Sequence, residues 1–210
     1  MKYKFSKNKN FWNQDHRDNF ILIQNEFRYK DDLYFLEIGV YEAWTSVKLL
    51  EDVLTGDNNR LCCIDPSITK NGRHNLRFHK DRVVLIEDYS DSVLLNMISL
   101  KRFVFDFIYV DGDHNASSVL TDLILAWRLW KVGGIMLIDD YEMKTLDPWF
   151  YTSHKEFSND NPRLNFTHPR LAIDPFLTIY RGQYQMLANN YQICIRKTID
   201  LRSPEITAIF

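Results

Sequence analysis

The chain contains no run approaching the roughly 18 apolar residues of a membrane span. Its N-terminus, MKYKFSKNKNFW, is polar and aromatic and lacks the apolar core of a signal peptide. Both absences argue against a membrane or secretory protein, and the expected location is cytoplasmic. Cysteine is scarce as well. There are three, an odd count, with Cys62 and Cys63 adjacent on an expected strand and no CxxC or Cys/His spacing. That pattern excludes a zinc motif and reads as reduced core thiols. An excess of positive charge is also missing: 26 Lys and Arg against 28 Asp and Glu leave a net charge of −2. There is thus no electrostatic basis for binding nucleic acid. Lys2, Lys4, Lys7 and Lys9 read as a solvated basic tail.

What is present is a regular alternation of strand and helix patterns. The 210 residues suit one domain that buries about 70% of its unfolded surface. LYFLEIGV (33–40), RLCCIDP (60–66), RVVLIED (82–88), FDFIYVDG (105–112) and IMLIDD (135–140) are continuous apolar runs of strand length. Helical spacing occupies 10–29, 43–54, the stretch after strand three, 117–131 and about 173–182. The glycines of VGG (132–134) are expected to break the long helix and start strand five. Continuous apolar strands separated by helices imply a parallel sheet covered on both faces. YQMLA and YQICIRK around Asn189-Asn190 predict a closing hairpin, which inserts one antiparallel strand near the edge. The expected architecture is therefore α/β and Rossmann-like, a seven-stranded, mostly parallel sheet. Residues 1–30 form an N-terminal helical or lid segment and 31–210 the main domain. Residues 142–170, rich in proline and polar side chains, read as a loop or lid.

In such sheets ligands bind in the crevice outside the carboxyl ends of the strands. Acidic residues gather there: Glu37 in strand one, Asp65 at the tip of strand two, Asp111, Asp113 and His114 after strand four, Asp139 and Asp140 after strand five. Asp65 stands where doubly wound folds hold ribose hydroxyls. Gly39 lets a ligand approach the backbone. The glycine pattern is not GxGxxG, since Tyr41 occupies the second position, which disfavours a dinucleotide. Each acid also has a bland reading. Asp113 could cap the helix that follows, an Asp-Asp pair often closes a turn, and a loop histidine is usually solvated.

The order of FLEIGVYE, an acid at strand two, Glu87-Asp88, YVDGDH, LWKVGG, LIDDY and YQICIRK resembles the class I S-adenosylmethionine-dependent methyltransferases. Within them it resembles a small O-methyltransferase family that includes macrocin-type bacterial sugar O-methyltransferases, with catechol-type enzymes more distant. The resemblance implies S-adenosyl-L-methionine as cofactor. Glu37 and Gly39 would line its methionine end, with Tyr41, Glu42 and Ser46 beside it, Asp65 on the ribose, and Asp88 and Ser90 bordering the adenine. Asp111, also next to the cofactor, would hold a magnesium ion with Asp139 and Asp140. Neighbouring strand-end carboxylates repel unless a cation compensates, and hard oxygen ligands suit magnesium. His114 would be the general base because its ordinary pKa lies near working pH, with Asp113 as the rival. The departure is Ala43-Trp44, where relatives often have a small residue followed by a polar one. The implied acceptor is the hydroxyl of a sugar, glycan or other small molecule. A catechol acceptor, or a methyltransferase-like binding module without catalysis, are the alternatives. A homodimer is compatible with all of these.

Overall fold

The computed structural model describes residues 2–6, 12–101, 104–143 and 168–201. The expected lid falls mostly outside the described residues. Seven strands form one sheet: β1 (Tyr34–Ile38), β2 (Arg60–Ile64), β3 (Val83–Ile86), β4 (Phe105–Val110), β5 (Trp130–Ile138), β6 (Tyr184–Asn189) and β7 (Ile193–Lys197). Their order is β3-β2-β1-β4-β5-β7-β6, and β7 runs antiparallel to both neighbours. The apolar run of each central strand therefore meets helices on both faces. On one face α4 (Ser90–Leu100), α5 (Ala116–Arg128) and α6 (Arg170–Ile179) pack against Leu36, Ile38, Ile108, Val110 and Ile138. On the other, α1 (Gln14–Phe27) and α2 (Trp44–Asp52) cover Phe35, Cys63, Phe107, Tyr109 and Leu137.

The N-terminal helix belongs to this second core. Its Phe20, Ile23 and Phe27 are buried, and Phe27 meets the Phe35 ring edge-on at 5.0 Å. Burial of three such side chains contributes several kcal/mol. The thiols are free and buried or half-buried, and burial pushes Cys62 and Cys194 up to about 12, as befits inert core residues.

Two local expectations are corrected. The long helix ends at Arg128, and Val132, Gly133 and Gly134 lie inside β5, where the register with β4 shifts between Phe105 and Phe107. A β-carbon on Gly134 would meet the Asp106 carbonyl at 2.6 Å, so this glycine permits the irregular approach of two strands rather than starting one. A helix absent from the sequence pattern, α3 (Lys70–Leu76), bridges β2 and β3; it is short and polar, and is capped by Thr69, whose hydroxyl accepts from Gly72 N at 3.0 Å.

Candidate active site

Register explains why the acids converge. Ile64, Ile38, Val110 and Ile138 pair across four adjacent strands, so Asp65, Gly39, Asp111 and Asp139 leave the sheet in one row. Bonds from Gly39 N to Ile64 O, from Asp111 N to Ile38 O and from Asp139 N to Val110 O, 2.9–3.0 Å long, continue the ladder one step beyond the strands. The order reverses between β1 and β4: β2 and β3 follow on one side of β1, and β4 and β5 on the other. A cavity of about 1270 Å³ opens there, lined among others by Glu37, Gly39, Tyr41, Glu42, Asp65, Ser90, Asp111, Asp113, His114, Asp139 and Asp140. That volume exceeds a typical small-ligand pocket and has room for two ligands.

At the β1 end, Gly39 has φ +87°, and a β-carbon would lie 1.8 Å from the Asp111 carbonyl oxygen. This glycine therefore makes room for the β4 loop, and it also lines the cavity. Tyr41 (φ +48°) and Ala43 (φ +61°) follow in left-handed conformations that cost about 1–2 kcal/mol each. Asp65 holds the turn in place. Its Oδ2 accepts from Val40 N at 2.8 Å and Tyr41 N at 2.9 Å, and its Oδ1 accepts from Ser67 N at 2.7 Å. Glu42 is turned toward the N-terminal segment, accepting from Ser6 N at 2.8 Å and from Asn71 Nδ2 at 3.0 Å. That contact places Phe5 edge-on to Trp44, 4.6 Å between centroids, at the cavity wall.

Glu37 is 1% exposed, and burial raises its pKa to about 8, with hydrogen bonds from Ser46 and Cys63 only partly offsetting this. Ser46 is fully buried behind Glu37 and outside the cavity lining. Asp88 also lies outside the lining, its carboxylate accepting from Tyr89 N at 2.8 Å. Ser90 is in the wall and donates to Asp122 Oδ1 at 2.6 Å.

At the β4 and β5 ends, Asp111, His114 and Asp140 offer ligand atoms within 4.8 Å of one another. His114 Nδ1 lies 2.5 Å from Asp140 Oδ2, and Tyr191 donates its hydroxyl to Asp140 Oδ1 at 2.9 Å. Asp140 has φ +61°, a strained conformation for this residue. Burial lowers the His114 pKa, yet Asp140 outweighs it through its bond and charge, with Asp139 and Asp113 adding, so the net direction is upward. Asp111 is pushed well above the carboxylate range by burial and by Asp139 and Asp140.

Asp139 departs from the expected ligand set. It shares side-chain parity with Tyr109 and Leu137 of the sheet face covered by α1, and so points at that helix. Burial opposes its charge, but His16 Nε2 at 3.3 Å, the Tyr109 hydroxyl and Asp140 N at 2.8 Å hold it ionised, below the ordinary range. His16 is itself fixed by Asn13 Oδ1 at 2.8 Å from its Nδ1. Asp113 is exposed, its oxygens accepting from Asn115 N at 3.3 Å and Ser118 Oγ at 2.7 Å, a brace across the first turn of α5.

Sequence reading missed His16, Tyr109, Tyr191 and Asp122. Tyr109 alone had a local signal, two residues before Asp111 on the same strand; the others reach the site only through tertiary packing.

Residues 36–141, which hold β1 to β5 and the acids at their ends, match the family of methyltransferase domains. The chain belongs to this family. An uncharacterized protein, R132, from Acanthamoeba polyphaga mimivirus is 28% identical over 152 residues, 68% of this chain and 67% of that protein. Among solved structures, a putative rRNA-methylase from Clostridium thermocellum is similar with a TM-score of 0.64 at 15% identity, covering 90% of this chain and 98% of that one. The MycE methyltransferase of the mycinamycin biosynthetic pathway, in complex with Mg and S-adenosylhomocysteine, is similar with a TM-score of 0.57 at 16% identity, covering 87% of this chain and 49% of that one. This methyltransferase thus has the class I, S-adenosylmethionine-dependent fold, with β7 as its reversed strand. No helix among the described residues is long and apolar enough to cross a membrane.

Proposed function

We propose that this methyltransferase is an O-methyltransferase that uses a divalent cation, magnesium by its donor chemistry, to methylate a hydroxyl of a sugar or glycan. The observation that carries the reading is the convergence of Asp111, His114 and Asp140 within 4.8 Å in the same cavity as Glu37 and Asp65. The residues fit both implied groups. Trp44 in the cavity wall has a buried Nε1 with no acceptor among the described residues, Glu37 is a buried acid, and Asp65 stands at the strand-two tip. These three match a carboxylate, an amine and a diol, the polar groups of S-adenosylmethionine, which when bound supplies a methyl group on an electron-poor sulfonium.

Asp111 and Asp140 would hold the cation, whose charge relieves the repulsion that lifts Asp111; when bound it supplies Lewis acidity to a coordinated hydroxyl. Hard oxygens favour magnesium and leave the imidazole for proton chemistry. Asp140 at His114 Nδ1 fixes the tautomer with a free Nε2, so Nε2 is the atom that takes the acceptor's proton. Asp113 is already engaged with α5 and is the less available group for this role. Trp12, His16 and Tyr191 form the adjoining wall, a polar and aromatic surface suited to a sugar ring.

The test is incubation with S-adenosylmethionine and a panel of nucleotide-sugars, glycans and catechols, with magnesium or with chelator, read by mass spectrometry. A methyl group gained on a sugar hydroxyl only with the metal supports the reading. Transfer to catechols alone replaces the acceptor class, and transfer that survives exhaustive chelation removes the cation.

A further inference from the structure

The cavity wall includes a buried acid that methyl transfer does not use and that has a single described donor. Asp122 lies in the middle of α5, is 3% exposed and faces the cavity. Ser90 Oγ donates to its Oδ1 at 2.6 Å, and among the described residues no group donates to Oδ2. That free oxygen reaches the β4 loop, 3.4 Å from where a β-carbon on Gly112 would sit. A carboxylate at this depth with one donor for two oxygens is costly unless something else donates to it. Among the described residues no cation acts on Asp122: the charged groups that do are Asp91 and Asp113, both acidic. Burial accordingly lifts its carboxyl to about 6, against the pull of Ser90. At neutral pH the group remains mostly an acceptor awaiting a donor.

A ligand in the part of the cavity lined by Ser90 at the start of α4 and by Ser118 and Thr121 of α5 can supply the missing donor. We infer that Asp122 is the residue that reads the nucleobase, its free oxygen accepting a hydrogen bond from the exocyclic amino group of the adenine of S-adenosylmethionine. This rests on the adenosyl cofactor occupying the cavity, as proposed above. The carboxylate then selects by charge as well as by bonding. A hypoxanthine base presents a carbonyl oxygen at the same place, and two acceptors face each other with no proton between them.

Calorimetry with S-adenosylhomocysteine and S-inosylhomocysteine tests this on the intact chain. The wild type should prefer the adenosyl ligand by at least about a hundredfold, since a site built around an N–H donor rejects an analogue lacking it. Asp122→Asn should weaken S-adenosylhomocysteine roughly tenfold or more and tighten the inosyl ligand, whose carbonyl can accept from the new amide, so that the preference collapses. Equal affinity of the two ligands for the wild type, or an unchanged ratio in folded Asp122→Asn, overturns the assignment. If neither ligand binds the wild type, the adenosyl reading of the cavity fails and takes this one with it. If S-adenosylhomocysteine binds without base preference, only the role of Asp122 fails.

Discussion

Cofactor binding should release a proton, and Glu37 should be its source. Held at about 8 by burial, Glu37 is roughly nine-tenths protonated at pH 7 in the free protein. An ammonium group of the methionine end placed against it favours the ionised form. Binding of S-adenosylhomocysteine at pH 7 should then release about 0.9 proton, falling to about half a proton at pH 8. Calorimetry in buffers of different ionisation enthalpy reads this directly as a slope. The same group gives the free protein a pH-dependent stability whose sign is fixed. Its folded pKa is raised above the unfolded 4.5, so its contribution is fully present below pH 4.5 and is lost as pH rises through about 8. Between pH 5 and 7 the upper bound is roughly 2.7 kcal/mol, two units at about 1.36 kcal/mol each. Glu37→Gln, which mimics the protonated acid, should flatten that slope in urea unfolding and abolish proton release. A buffer-independent binding enthalpy in the wild type at pH 7, or an unchanged slope in the variant, would refute the reasoning.

Gly39→Ala should destabilise the fold by about 3 kcal/mol or more, because the new methyl meets backbone and the φ is left-handed; a melting temperature within a degree of wild type would count against this account. His114→Ala should lose about 10²–10⁴-fold in turnover with S-adenosylhomocysteine affinity nearly unchanged, while Asp113→Asn keeps most activity. The reverse pattern in the same kinetic comparison makes Asp113 the base. His16→Phe should leave Asp139 buried without its nearest cation-forming partner and cost about 1–3 kcal/mol in chemical unfolding, an effect that shrinks in an Asp139→Asn background. Equal losses in both backgrounds would show that His16 does not act through Asp139.

Much of this architecture is legible in one dimension because it follows from period and length. Continuous apolar runs cannot be half-exposed, so FLEI, FDFIYV and IMLI had to be central strands. Their C-terminal acids then had to share an edge, and the final hairpin had to reverse one strand. Glycine, which has more than one use, was the harder residue to read. Gly134 looked like a helix stop and instead lies inside β5, while Gly39 makes room for the β4 loop as well as lining the cavity.

The sequence by itself therefore determined the strands, most of the helices and the edge at which Asp65, Gly39, Asp111 and Asp139 emerge, because strand length, period and the hand of the crossovers follow from the local pattern. Only the tertiary structure decided which acids stand together. Asp139 and Asp140 are adjacent in the chain, yet the first turns to His16 and Tyr109 under α1 and the second to His114 and Tyr191. Asp122 looks like one more polar position on a helix until α4 brings Ser90 against it. These partners come from distant segments, and a carboxylate's role depends on which donor the packing delivers to it, information that no spacing within the chain contains.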